Sequence, residues 1–146
     1  MPHVTIPLGA DGMIVEAVFG LQGSQTAALL QAQQPIPRPQ HIRSLIDCGT
    51  DTTAIASKVF QQLGLGPVAR GSSQTAAGAV PVNLYRVSLT IAGPAGRAGP
   101  VLAIPDLLVS ELTVPLANLD ALIGMDVLRQ CLLVLDGPGQ QFIFGF

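Results

Sequence analysis

Charged residues are scarce in this 146-residue sequence: seven Lys and Arg and nine Asp and Glu make up 11% of it, with a formal net charge of −2. No basic run gathers into the patch that a phosphate backbone requires, which excludes nucleic acid as a partner. Tryptophan is absent and cysteine occurs only twice. Cys48 and Cys131 are too few for a disulfide framework and lack the spacing of a metal site, so both read as reduced thiols. Long apolar runs are missing as well, since Gly, Pro or a charge interrupts every stretch short of the roughly 20 residues that a membrane span needs. The opening Met1-Pro2-His3-Val4-Thr5-Ile6 has neither the basic nor the apolar region of a secretory signal. A cytoplasmic protein without a membrane partner is therefore expected.

Apolar and small residues fill the space that charge leaves. The chain is 49% hydrophobic, with 16 Gly and 12 Pro, and its mean hydropathy of +0.51 is high for a soluble monomer. Such a composition leaves apolar surface over for a partner subunit. The length suits a single domain spanning residues 1–146 around one core.

Along the chain, apolar residues alternate at Val4, Ile6 and Leu8, a turn signal follows at Gly9 to Gly12, and Met13 to Phe19 resumes the pattern, which predicts a hairpin. Residues 20–40 are rich in Gln, Ala and Pro and read as a loop insert, with at most one helical turn at Thr26 to Gln31. Ile42 to Ile46 reads as a buried strand that stops abruptly at Asp47. A short helix fits Ser57 to Leu63 and ends at Gly64. The polar, small stretch Gly71 to Gly78 lies between apolar flanks and reads as the tip of a long hairpin. Val87, Leu89 and Ile91 alternate, Gly93 to Gly99 makes a turn, and Val101 to Ile104 returns. Leu122-Ile123-Gly124, a second short helix at Asp126 to Gln130, and strands at Leu132 to Leu135 and Gln141 to Phe144 complete the pattern. The expected class is mostly β with one or two short helices, and no βα alternation supports a parallel sheet.

Asp47 is the main chemical candidate. A carboxylate emerging from a buried strand is costly unless donors compensate it, and Cys48-Gly49-Thr50-Asp51-Thr52-Thr53 supplies hydroxyls and backbone amides around a glycine. An Asp-x-Gly after a strand is by itself an ordinary turn. Cys48 suggests a thiol nucleophile instead, but that chemistry needs a histidine base. The only histidines are His3 and His41, and His41 lies at the far end of the strand leading to Asp47.

Leu45-Ile46-Asp47-Cys48-Gly49-Thr50-Asp51-Thr52-Thr53-Ala54-Ile55 resembles the active-site loop of retropepsins, retroviral-type aspartic proteases. Ala121-Leu122-Ile123-Gly124-Met125-Asp126-Val127-Leu128 resembles their second signature. The order of the two and the hairpin between them resemble the cellular branch, which includes the DNA-damage-inducible ubiquitin-shuttle proteases and similar bacterial proteins; the likeness covers His41 to Phe146. It implies a closed β barrel in which each chain brings one Asp-x-Gly loop, so that a homodimer places two Asp47 carboxylates at a two-fold axis. Such a pair shares one proton and hydrolyses a peptide bond with no metal or cofactor.

The resemblance implies further roles. Gly49 would lie beside the bound peptide. Asp51 stands where retroviral enzymes grip substrate main chain, and equally reads as a loop-capping carboxylate. Gln74 to Pro81 corresponds to the flap, with Ala77 and Gly78 at its tip, Gly78 being either its hinge or a plain turn residue. Leu122 and Ile123 would line the pocket and, with Gly124, support the loop. Two positions depart from the family: Cys48 replaces a Thr or Ser whose hydroxyl locks the two loops across the axis, a thiol being a weaker partner, and Thr50 replaces Ala or Ser, adding a methyl near the cleft. Two functions follow, an aspartic endopeptidase acting on peptide or protein substrates, or a retropepsin-fold dimer that binds peptides without cutting them.

Overall fold

A computed structural model describes residues 1–93, 99 and 101–146. Ten strands and three helices follow one another as β1 (His3–Pro7), β2 (Ile14–Gly20), α1 (Gly23–Gln31), β3 (Gln40–Ile46), β4 (Ala54–Ile55), α2 (Ser57–Gln62), β5 (Ala69–Thr75), β6 (Gly78–Ala92), β7 (Val101–Glu111), β8 (Ala121–Ile123), α3 (Met125–Leu128), β9 (Leu132–Asp136) and β10 (Gln141–Gly145). Strands β2, β3, β8, β4, β7 and β6 pair in that order, and β6 returns to β2 through Ala17↔Ile91 and Phe19↔Leu89, closing a six-stranded barrel. The side chains of Val15, Ala17 and Phe19 from β2, Ile42 and Ile46 from β3, and Val87, Leu89 and Ile91 from β6 alternate into its interior, the period of two that a half-buried strand dictates. Phe60 of α2 stacks on Tyr85 of β6, ring centroids 3.7 Å apart and nearly parallel. Gly64, at φ +66°, takes the left-handed conformation that stops α2.

The expected N-terminal hairpin does not form. The turn exists, with Gly12 N–H donating to Gly9 O at 3.1 Å, but β1 leaves for a separate three-stranded sheet ordered β1-β10-β9, while β2 joins the barrel. Turn chemistry is local, whereas the choice of partner strand depends on distant residues. β1 finds β10, and Val4 packs in the core with Phe142 and Phe144.

The 20–40 insert is also more ordered than a loop with one turn. It carries α1, so the described residues hold three helices. Gln22 caps α1, its side chain accepting from Ser24 N–H while its own N–H donates to Gln25 Oε1 at 2.8 Å. A Gln pair is not the Ser/Thr–Glu pattern that marks helix starts in sequence, and no residue of α1 is buried, so no apolar stripe announces it.

The long hairpin is present as β5 and β6, in register from Ala69↔Leu84 to Thr75↔Gly78. The turn expected at Gly93 to Gly99 falls largely outside the described residues, and the strand after it runs on to Glu111. Pairing is mainly antiparallel, yet β3 runs parallel to β8 over Ser44↔Ala121 to Ile46↔Ile123, and β4 runs parallel to β7. The first of these contacts brings the two sequence signatures together. Among the described residues no helix is long and apolar enough to cross a membrane.

Candidate active site

The parallel contact of β3 with β8 ends where Asp47 N–H donates to Ile123 O at 3.0 Å. Asp47 thereby leaves the barrel wall at the level of Gly124, half-buried. Its Oδ1 accepts from Gly49 N–H at 2.9 Å, and a Cβ at Gly49 would stand 3.2 Å from that oxygen. Gly49 therefore serves by leaving room for the amide to meet the carboxylate.

The loop after Asp47 is clamped from below by α3. Met125 N–H donates to Thr50 O at 2.8 Å and Asp126 N–H to Asp51 O at 3.0 Å. The Asp126 carboxylate completes the clamp, accepting from Thr53 N–H at 2.9 Å and from Thr53 Oγ1 at 2.8 Å. The Thr53 hydroxyl in turn accepts from Gly124 N–H at 3.1 Å. Thr53 is fully buried, so each of these bonds satisfies a group that has no access to water. Gly124 has no room for a side chain: a Cβ there would meet Thr52 C at 2.8 Å, Thr50 Cγ2 at 2.9 Å and Thr53 N at 2.9 Å. The Thr50 methyl thus lies against Gly124.

Asp47, Cys48, Gly49, Thr50, Asp51, Ile123 and Gly124 are brought together by these bonds. Leu122, half-buried, sits beside them on β8 between Leu45 and Ala54. Asp51 is exposed, and its carboxylate accepts no hydrogen bond among the described residues, which leaves its reading as a loop cap unsupported. The Cys48 thiol is exposed. Cys131, three residues past α3, is half-buried, and burial pushes its thiol above the ordinary range. His41 pairs with Val18 at the opposite end of β3 from Asp47, so a Cys48–His41 couple has no geometric basis.

Ala77 and Gly78 lie apart from the loop, at the tip of the β5–β6 hairpin. Gly78 has φ +111°, a turn conformation that favours glycine. Thr75 fastens the tip, its Oγ1 accepting from Ala77 N–H at 3.2 Å and donating to Gly78 O at 2.8 Å. At the hairpin's base, Glu111 accepts from Ser57 Oγ at 2.5 Å and Asn83 Nδ2 at 3.0 Å, joining β6 to the start of α2. Burial, and then the Glu111 charge, raise the neighbouring Tyr85 hydroxyl above its usual range, with an Asn83 hydrogen bond opposing them.

Thr53, expected among the hydroxyl donors around Asp47, donates to Asp126 instead, and Asp126 is the site residue that sequence reasoning did not single out. The available signal was an acid two residues after Gly124, in the first turn of a short helix, with a hydroxyl residue six positions after Asp47.

Residues 39–127 match the family model described as aspartyl protease, and the chain belongs to that family. A retropepsin-like aspartic protease from Rickettsia conorii superposes with a TM-score of 0.59 at 16% identity, covering 99% of this chain and 90% of that one. The fold is thus retropepsin-like. The retroviral protease-like domain of Ddi1 from Leishmania major is a more distant match, with a TM-score of 0.40 and 12% identity over 86% of this chain and 83% of that one. No curated protein matches the chain.

Proposed function

We propose that this chain is one half of an aspartic endopeptidase, whose catalytic pair is one Asp47 from each of two copies. The observation that carries this reading is the position of Asp47: at the open end of β3, half-buried, on a loop fixed by Ile123, Gly124 and Asp126, in a chain whose only Asp-x-Gly is this one. Two carboxylates held about 3 Å apart cannot both ionise, so the pair shares one proton and titrates jointly. The ionised member takes a proton from water as it attacks the peptide carbonyl while the protonated member donates to the carbonyl oxygen; on collapse the first member passes the proton it gained to the leaving nitrogen and the second recovers one from the diol hydroxyl. Each proton is thereby accounted for without a metal or cofactor. The β5–β6 hairpin serves as the flap over an extended peptide, with Ala77, Gly78, Gly49, Asp51 and Leu122 along its path.

The test is Asp47→Asn with a peptide library at several pH values. Cleavage is expected to vanish in the variant, with its circular dichroism and its mass in solution unchanged, because an amide cannot act as the base. Cleavage retained by the Asn variant would remove the aspartic mechanism. The exposed Cys48 thiol favours a second reading, a two-copy module that binds peptides without cutting them. Saturable peptide binding by the wild type with no product at any pH would select that reading.

A further inference from the structure

A row of side chains runs across three strands at the base of the β5–β6 hairpin. Arg70 of β5 stands opposite Asn83 of β6, and the β6–β7 register, with Leu84 opposite Ser110, puts Glu111 next in line. Residues opposite one another across a sheet project from the same face, so a cation, an amide and an anion lie side by side in that order. Neighbouring strands are about 4.8 Å apart, which leaves roughly 10 Å between the Arg70 and Glu111 backbones.

The two charges of the row do not meet. The Glu111 carboxylate is held by the Ser57 hydroxyl and by Asn83, whose Nδ2 donates to Oε2 at 3.0 Å. Arg43, Lys58 and Arg86 each have a carboxylate partner, whereas among the described residues Arg70 has none. Between them lies a cavity of about 250 Å³, lined by Arg70, Asn83 and Glu111 and, toward the hairpin tip, by Pro81 and Val82. Its chemistry selects a ligand by exclusion. Glu111 repels an anion placed on Arg70, and Arg70 repels a cation placed on Glu111. A wholly apolar molecule strips both charges of water and returns no bond. A molecule with both signs a few ångströms apart satisfies both ends.

We propose that this cavity binds a zwitterion, with the α-carboxylate on the Arg70 guanidinium, the α-ammonium on the Glu111 carboxylate and an apolar side chain against Pro81 and Val82. A free amino acid and a short peptide both carry that pair of charges. Both contacts are charge-assisted, and such bonds are about twice as strong as neutral ones. This second site does not depend on cleavage at Asp47. Occupancy also acts on the hairpin. Arg70 belongs to the hairpin, whereas Glu111 ends the barrel strand β7, where Ser110 N–H donates to Thr53 O and Leu112 N–H to Ile55 O, both at 2.9 Å. A ligand that touches both elements favours the arrangement in which they stand at this separation, and so holds the hairpin base on the barrel.

The test is a titration of the isotope-labelled protein with L-leucine, followed through the backbone amide signals of Arg70, Asn83 and Glu111. Saturable shifts are expected with leucine and with the dipeptide leucyl-leucine, and the tighter of the two identifies the source of the ligand. N-acetylleucine lacks the ammonium and leucinamide lacks the carboxylate, so each is expected to bind at least about tenfold more weakly, the value of one lost charge-assisted bond. Arg70→Gln and Glu111→Gln are expected to weaken leucine by the same factor. Arg70 is exposed, so its variant keeps the fold and remains a test if Glu111→Gln disturbs the bonds to Ser57 and Asn83. At saturation the β5 amides are expected to exchange their hydrogens more slowly. The site is overturned by the absence of a saturable shift up to the solubility limit of leucine, by equal binding of N-acetylleucine or leucinamide, or by full affinity in Arg70→Gln. Binding with unchanged β5 exchange overturns the hold on the hairpin.

Discussion

At the scale of single residues, the best-determined feature is the Thr53–Asp126 pair. Removing the acceptor leaves the buried Thr53 amide and the donor hydrogen of its hydroxyl without partners, and an unsatisfied buried polar group costs about 1–3 kcal/mol. Asp126→Ala is therefore expected to lower the stability by that order, measured as a drop in the urea midpoint at constant slope. Asp126→Asn is expected to cost less, because its carbonyl oxygen still accepts from the Thr53 amide and its amino group can donate to the Thr53 hydroxyl. Equal losses in the two variants would mean that the negative charge, and not the bond count, holds the loop. Asp47 was legible in sequence because a carboxylate follows an apolar strand and precedes small, hydroxylated residues, and because the loop resembles a known family's. The clamp beneath it was not. Thr53 and Asp126 are 73 residues apart, and the acid after Gly124 and the hydroxyl after Asp47 are each visible without indicating that they pair.

At the scale of elements, α1 is an excursion from an otherwise plain hairpin. Phe19 pairs with Gln40, so β2 and β3 are already adjacent where the insert leaves and returns. The helix buries no side chain, and its links to the barrel are exposed hydrogen bonds from Gln22 to Asp106 and from Gln25 to Arg86 O. Replacing Gln22 to Arg38 with a short turn, with the core-packed Leu21 kept, is expected to change stability by no more than about 1 kcal/mol, since loop-closure entropy varies only slowly with length. Thermal denaturation of the shortened protein checks this, and a loss of several kcal/mol would show that α1 supports the barrel. The barrel strands β2, β3 and β6 were readable because each buries alternate residues on one face. β1 was readable as a strand but not as a partner of β10, since the turn at Gly9 to Gly12 fits a hairpin equally well and only the Phe142 and Phe144 layer decides between them.

At the scale of the whole molecule, the proposed sharing of one active site between two copies would make the rate depend on concentration. Below the dissociation constant the population of assembled sites varies with the square of the chain concentration, so doubling the protein is expected to raise the cleavage rate about fourfold by mass action. A rate strictly proportional to concentration over a broad dilution series would place a complete site within one chain or within a dimer too tight to dissociate, and light scattering at the same concentrations separates these outcomes.

The terminal sheet has one more consequence, and it is mechanical. His3 lies opposite Gly145 and Pro7 opposite Gln141, so the chain enters β1 and leaves β10 at the same corner of the sheet. Tension applied to the segments before His3 and after Gly145 pulls the two strands apart sideways, like a zipper, and loads their hydrogen bonds one rung after another. Strands pulled lengthwise past each other must instead break all their rungs at once. The β1–β10 contact is therefore the compliant joint of the molecule. Under load it peels first, taking Phe142 and Phe144 from the core, while the ring of strands around Asp47 keeps its pairing.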